Sequence, residues 1–406
     1  MKRALRILAA VLLWSIVIAC VAAVIVPRFL DRIYYRGAPG AHFDGSRFFN
    51  PDGDSSAAPP GGGSRGGFLW RQLRGDDGRP PWPERATVQP AAAGELASLA
   101  PAPSGAAATP MRATWIGHAS VLVQVPGLNI LTDPVWSARA GPFGAGPKRV
   151  APPGIAFDAL PHVDLVLISH NHYDHLDLAT LKRLWQRDRP LIVTSLGNDA
   201  ILRSAGIPAH AIDWGQAVPV PAKRDAARPV RVHATRNHHW GSRWFADRNR
   251  ALWSSFVVEL PGGNLFFAGD TGMGDGRWPA EAAALGPIRL ALVPIGAFRF
   301  RPGQMETDHH IGPVDAQEVF RRLGAWRGIA IHWGTFRLSA EGWDTPPRLL
   351  RAVQACAGGD PQRFAAVAIG RPQDVPPIGA APPPAPVPDR AAVLACLDTP
   401  AVRSLR

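Results

Sequence analysis

The sequence predicts an α/β fold in which two β-sheets lie between helices, four layers in the order αββα. Three observations lead there. From residue 111 onward, apolar runs of strand length first follow one another closely and then alternate with segments of helical spacing. The 406 residues are 46% hydrophobic, enough to bury a large core. Four of the strand-like runs end in histidine or aspartate, which places polar chemistry where the strands of a sheet run out.

In chain order, the first element is a membrane-length segment. Lys2, Arg3 and Arg6 precede an apolar stretch from Ile7 to Val26, and Pro27, Arg28 and Arg32 close it. That is about the 20 residues a helix needs to cross a bilayer. Residues 1–36 are therefore expected to be an uncleaved anchor. Processing as a lipoprotein at Cys20, or cleavage as an ordinary signal, are the alternatives. The basic N-terminus favours an N-inside orientation, with the remainder on the periplasmic or outer side.

Residues 37–110 read as a loop-rich linker. It contains Gly61-Gly62-Gly63-Ser64 and an Ala/Pro-rich stretch over 90–110. Its aromatic patches, Phe48-Phe49 and Phe68-Leu69-Trp70, predict that parts of it pack on the main domain. The main domain is expected over 111–371. Strands are predicted at 112–116, 120–125, 128–132, 163–169, 191–194, 230–234, 254–260, 264–268, 290–294 and 328–331. Helices are predicted at 177–186, where Leu178, Leu181, Leu184 and Trp185 share a face, at 198–204 and at 314–323. The tail, 372–406, is Pro/Ala-rich, and Pro382-Pro383-Pro384 makes most of it read as extended. No repeat of solenoid period occurs.

Lys and Arg exceed Asp and Glu by 44 − 32 = 12. Such an excess favours anionic partners such as phospholipid headgroups or phosphorylated metabolites. Three cysteines, with no CxxC pair, exclude a disulfide framework; one bridge, Cys356–Cys396, is conceivable.

The chemistry concentrates in four blocks. The first is His170-Asn171-His172-Tyr173-Asp174-His175, directly after an apolar strand. Imidazole nitrogens and carboxylate oxygens are the usual ligands of zinc, and alternate residues at a strand end can converge on one point. The others are Asn237-His238-His239-Trp240, Ala268-Gly269-Asp270-Thr271 and Ile331-His332-Trp333-Gly334. A lone His332 or Asp270 would read as a satisfied buried histidine or a turn residue. Beside the first block they become candidates for a two-ion site, with Asp270 as the bridging carboxylate. Asp133 and His118 are the polar groups placed to orient ligating imidazoles from behind.

The same blocks resemble the metallo-β-lactamase superfamily. Within it, TWIGHASVLVQ at 114–124, LTDPVW at 131–136, GPKR at 146–149, ISHNHYDHLD at 168–177, FFAGDTG at 266–272, PIGA at 294–297 and AIHWGTF at 330–336 resemble the phospholipases D that hydrolyse N-acylphosphatidylethanolamine. The resemblance covers roughly residues 111–345. It implies the metallo-β-lactamase form of the αββα sandwich and two zinc ions per chain. It implies one ion on His170, His172, His239 and Asp270, and the other on Asp174, His175, His332 and Asp270. His239 rather than His238 carries the family's match. Tyr173 and His310 are implied as substrate-binding residues, with His309 the alternative to His310.

The reaction implied is attack on a phosphodiester by hydroxide formed between the two ions, with Asp174 and His310 as the catalytic side chains and no covalent intermediate. The products would be phosphatidic acid and an N-acylethanolamine. The expected partners are the phospholipid and the membrane; nucleic acid is not expected, since an anchor argues against a nuclease, and a homodimer is allowed for. The alternatives are a hydrolase of soluble phosphodiesters or lactones and a non-catalytic envelope protein on the same fold.

Overall fold

The computed structural model describes residues 2–53, 79–100, 109–221, 230–300, 303–379 and 388–405. The apolar N-terminal stretch forms one helix, α1 (Lys2–Leu30), whose most apolar 18 residues have a mean hydropathy of 2.9 and are not buried against the protein. The chain then turns onto the domain, where Phe43 and Phe48 are buried with Leu252 and Trp253. Phe68-Leu69-Trp70, Gly61-Gly62-Gly63-Ser64 and Pro382-Pro383-Pro384 lie outside the described residues.

The first sheet contains β1 (Arg112–Gly117), β2 (Ser120–Val125), β3 (Leu128–Thr132), β4 (Leu165–Ile168), β5 (Leu191–Ser195) and β6 (His210–Ile212). The second contains β7 (Ala217–Val220), β8 (Val230–Thr235), β9 (Ser255–Glu259), β10 (Asn264–Phe267), β11 (Ile288–Pro294), β12 (Arg327–Ile331) and β13 (Phe364–Ala365). A last strand, β14 (Pro372–Asp374), returns to the first sheet beside β1, so both sheets are seven-stranded. In each sheet an antiparallel half leads into a parallel half: β3 to β6 in the first and β10 to β13 in the second.

Successive side chains of a strand face opposite ways, and the sequence uses both faces. Trp115, Val123, Leu167 and Val193 meet Phe256, Phe267, Leu292 and Ile331 between the sheets. Ile116, Leu122, Val166 and Ile168 face outward, under α2 (Leu178–Asp188) and α3 (Asn198–Ser204). Phe266, Ala291 and Ala330 face α4 (Trp278–Ala283), α5 (Pro313–Arg322) and α6 (Thr345–Ala357). This is the predicted αββα sandwich, of the metallo-β-lactamase form.

Several elements depart from the sequence reading. The strand at 163–169 is shorter, because the Ser169 N–H leaves the ladder and donates to the Asp133 carboxylate at 2.8 Å. The helix expected at 177–186 starts one residue later, because Asp177 caps it, accepting from the N–H groups of Ala179 and Thr180. Residues beyond 371 do not all run extended: β14 joins the sheet, and α7 (Arg390–Leu397) and α8 (Pro400–Arg403) follow. The Cys356–Cys396 bridge is formed and ties α7 to α6. The strands β6, β7, β13 and β14 and the helix α4 carry two to six residues each, too few for a periodic signal.

Candidate metal centre

The four blocks lie at the carboxyl ends of β4, β8, β10 and β12, where open α/β sheets place their sites. The backbone there is forced into shape. His118, Asp133 and His332 have φ of 55°, 29° and 64°, a left-handed region that few non-glycine residues occupy. Gly269 has φ 62°, and a Cβ there would sit 2.5 Å from that of Ser169, so glycine is required before Asp270.

Asp270 is the hub. Its Oδ2 lies 3.1 Å from His175 Nε2 and 4.0 Å from His239 Nε2, and its Oδ1 lies 3.0 Å from His332 Nε2. His170, His172, His239 and Asp270 form one group whose donor atoms lie within 4.8 Å of one another; Asp174, His175 and His332 form a second with His118. The seven donors expected from the sequence are thus gathered in one place. His310 joins them with its Nδ1 3.8 Å from Asp270 Oδ2. Its neighbour His309 contributes its carbonyl instead, which accepts from His239 Nδ1 at 2.9 Å. His238 points away, to Asp52 at 3.0 Å.

A set of partners behind the donors orients them. Asp133 Oδ2 accepts from His175 Nδ1 at 2.6 Å and from the Ser169 hydroxyl at 2.6 Å. Ser169 Oγ in turn lies 2.9 Å from His170 Nδ1 and accepts its proton. With Nδ1 of His170, His175 and His239 donating outward, each Nε2 keeps its lone pair for the centre. His118 Nε2 donates to Asp174 at 2.9 Å. Asp133 thus orients an imidazole from behind, whereas His118 holds the Asp174 carboxylate and no imidazole. Three others were missed. Asn237 donates to the carbonyls of Ala268 and Asp270 at 3.1 and 3.0 Å. Asn50 donates to the His239 carbonyl at 2.9 Å, and Asp52 takes His238. Asn50 and Asp52 come from the loop-rich N-terminal stretch, where the neighbouring Phe48-Phe49 patch was the only signal.

The electrostatics suit a cation. Burial pushes the Asp270 carboxyl up, but His175 and His332 outweigh it and hold it well below the usual carboxylate range. Asp174 is likewise held low, with His175 the main opposing charge to its burial. Burial and neighbouring imidazoles push His170 and His239 well below the ordinary histidine value, and burial takes His172 to about 4. His332 goes the other way, to about 9, because Asp270 and Asp174 overcome its burial. Two observations test whether a metal fits. His239 Nε2 is buried and has no hydrogen-bond partner among the described residues, a rare state for such an atom. His170 Nε2, left with its lone pair because Nδ1 faces Ser169, lies 2.7 Å from His172 Nδ1, so the two ring nitrogens turn toward each other. Both are the arrangement of nitrogen donors around a cation.

The site opens at Asp174 and His310, whose side chains keep 13% and 17% exposure while His175, His239 and His332 have none. Tyr173 stands apart from its neighbours His172 and Asp174. Its hydroxyl donates to the Arg243 carbonyl at 2.8 Å, its ring lies 4.1 Å under the Arg243 guanidinium, and it lines a cavity that contains none of the donors.

Comparison with known proteins adds the relatives. The family model described as "Beta-lactamase superfamily domain" matches residues 128–333. The chain is 35% identical over 244 residues to the N-acyl-phosphatidylethanolamine-hydrolyzing phospholipase D 1 of Caenorhabditis elegans, covering 58% of this chain and 67% of the relative. It is 31% identical over 252 residues to the mitochondrial N-acyl-phosphatidylethanolamine-hydrolyzing phospholipase D of Saccharomyces cerevisiae, covering 61% and 53%. It is 37% identical over 255 residues to an uncharacterized protein of Mycobacterium tuberculosis, covering 61% and 65%. The chain therefore spans just under two thirds of the mycobacterial relative's length and about half of the yeast one's.

Proposed function

The chain belongs to the metallo-β-lactamase superfamily and is a metal-dependent hydrolase, and from that premise we propose that it cleaves the phosphodiester bond of N-acylphosphatidylethanolamine-like phospholipids, releasing phosphatidic acid and an N-acylethanolamine. The observation that carries this reading is Asp270, which lies between the two sets of donors: its Oδ2 is 4.0 Å from His239 Nε2 of the first set, and its Oδ2 and Oδ1 are 3.1 and 3.0 Å from His175 Nε2 and His332 Nε2 of the second. One ion would be held by His170, His172, His239 and Asp270, and a second by Asp174, His175, His332 and Asp270. Imidazole nitrogens and carboxylate oxygens are ligands that zinc accepts. Two such ions supply Lewis acidity to a phosphoryl oxygen and make a water acidic near neutral pH.

The chain's own groups do the rest. Asp133, Ser169 and the His309 carbonyl keep three imidazoles in the tautomer that binds a cation. Asp174, held as a carboxylate beside His118, accepts a hydrogen bond from the attacking water and aims it. His310, at the opening and pushed down to about 4 by its burial, stays neutral and donates a hydrogen bond to the leaving oxygen. Water oxygen adds to phosphorus, the bond from phosphorus to the ethanolamide oxygen breaks, the water's proton passes to solvent by way of the Asp174 carboxylate, and the alcohol takes its proton from solvent.

The membrane reading has separate support. The helix α1 is long and apolar enough to span a bilayer, and the Cys356–Cys396 bridge suits an oxidising compartment. Together they favour an anchored enzyme with its catalytic domain on the periplasmic or outer side. The phospholipid substrate would then lie in the leaflet beside the domain.

Hydrolysis in ¹⁸O-labelled water by the full chain tests the chemistry. The label is expected in phosphatidic acid. Label in the N-acylethanolamine would mean attack at carbon and overturn the mechanism. Turnover of soluble diesters or lactones alone would assign the same donors to a soluble substrate.

A further inference from the structure

A second site lies at the point where α1 meets the domain. A cavity of about 1000 Å³ opens there, between the end of α1 and the loops around Phe143 and Trp244. Arg28, Arg32, Arg36 and Arg243 line it, and the acid in its lining, Asp31, is already engaged by Arg47 and Arg250. The cavity is therefore strongly positive. It is also built rather than incidental. Trp244 donates its indole N–H to the Phe29 carbonyl at 2.7 Å, and the Arg32 guanidinium lies 4.0 Å over the Trp244 ring. Tyr34 donates to Asp247 at 2.7 Å.

Its rim is apolar in a way water does not explain. Phe143 is 91% exposed and Phe245 60%, and Phe29 and Ile33 are exposed beside them. Exposed aromatics next to arginines, at the end of a membrane-length helix, match the composition of the bilayer interface, where rings sit at headgroup depth and arginines meet phosphate.

We propose that this cavity binds the phosphate-bearing headgroup of an anionic phospholipid, with Phe143 and Phe245 seated among the adjoining acyl chains. The inference rests on the reading of α1 as a membrane span. It adds a lipid site distinct from the metal centre but mechanically joined to it. Arg243, in the cavity wall, donates to the carbonyls of Asn171 and Leu176, the two sides of the loop that carries His172, Asp174 and His175. Tyr173 of that same loop forms part of the wall. A headgroup held there fixes the donor loop against the membrane surface.

Hydrogen–deuterium exchange of the full chain in lipid nanodiscs tests this. Phosphatidylcholine discs are compared with discs that also contain phosphatidylglycerol, and with phosphatidylcholine discs in inorganic phosphate. Slower exchange across 31–36, 142–146 and 242–248 is expected only with phosphatidylglycerol. Arg32→Gln combined with Arg36→Gln is expected to raise the phosphatidylglycerol needed for that protection roughly thirtyfold, about fivefold per arginine near an anionic surface. Equal exchange in the three preparations overturns the proposal. So does protection by inorganic phosphate alone, which would mark a free-anion site, and so does protection that survives in the double variant. Residues 7–26 report on the premise by themselves. If they are protected in every disc while the cavity is not, only the headgroup site fails; if they exchange freely, the membrane span fails first.

Discussion

The carbonyl of His239 shows how a single distant residue can brace the centre. Asn50, 189 positions earlier, donates to it, and Trp253 donates to the Asn50 side chain from the other side at 3.2 Å. Asn50→Ala would leave a buried carbonyl without its partner, a cost of about 1–3 kcal/mol. It should also loosen His239 and weaken metal binding roughly 10–100-fold, as removal of an orienting group does. Chelator competition and a thermal melt check both, and unchanged metal affinity would make Asn50 a packing residue only. The contrast with the first block explains what the sequence can reveal. Residues 170–175 put their donor chemistry side by side, so the pattern is legible in six letters. Asn50 is a lone amide whose partner lies far along the chain, and nothing local marks it. The positive φ of His118, Asp133 and His332 is equally silent, since none of the three is glycine.

At the scale of elements, helices and strands with a clear period were legible, and short edge pieces were not. The last four residues of β12, 328–331, are an apolar, buried run, whereas β13 and β14 have two and three residues and form because neighbours offer them a ladder. The helix α7, next to last in the chain, is held by two devices that composition conceals. One is the Cys356–Cys396 bridge, which closes a 40-residue loop. Replacing both cysteines with serine should cost about 2–4 kcal/mol and lower the melting temperature of the domain; an unchanged melt would mean that packing alone holds the helix. The other is the junction of Arg390 with Glu306 and Asp315. Burial and the adjacent Glu306 push Asp315 up to about 8, against the pull of Arg390. An acid raised on folding contributes stability that is present below its unfolded value and is lost as pH rises toward the folded one. Asp315→Asn, which cannot ionise, should therefore gain in melting temperature relative to the parent protein between about pH 4 and 8, by a few degrees. A difference that does not change with pH would contradict the raised value.

Across the whole molecule, two seven-stranded sheets bring four separated blocks to one end of the strands, and the domain follows a helix of membrane length. The fold class and the gathering of seven donors were legible because each block closes an apolar run. The substrate was not, since Tyr173 and the segment leading to His310 are placed by loops whose course no period records. The central claim is that Asp270 joins two metal ions into one hydrolytic centre acting on phospholipid. Its most direct test is metal analysis of the purified full-length chain and of Asp270→Asn, each assayed for phosphatidic acid release from N-acylphosphatidylethanolamine. The account predicts about two zinc ions in the parent protein. In the variant it predicts loss of at least one ion, with hydrolysis reduced about a hundredfold or more. A variant that keeps both its metal and its turnover would contradict it, as would a parent protein that releases phosphatidic acid after its metal has been stripped.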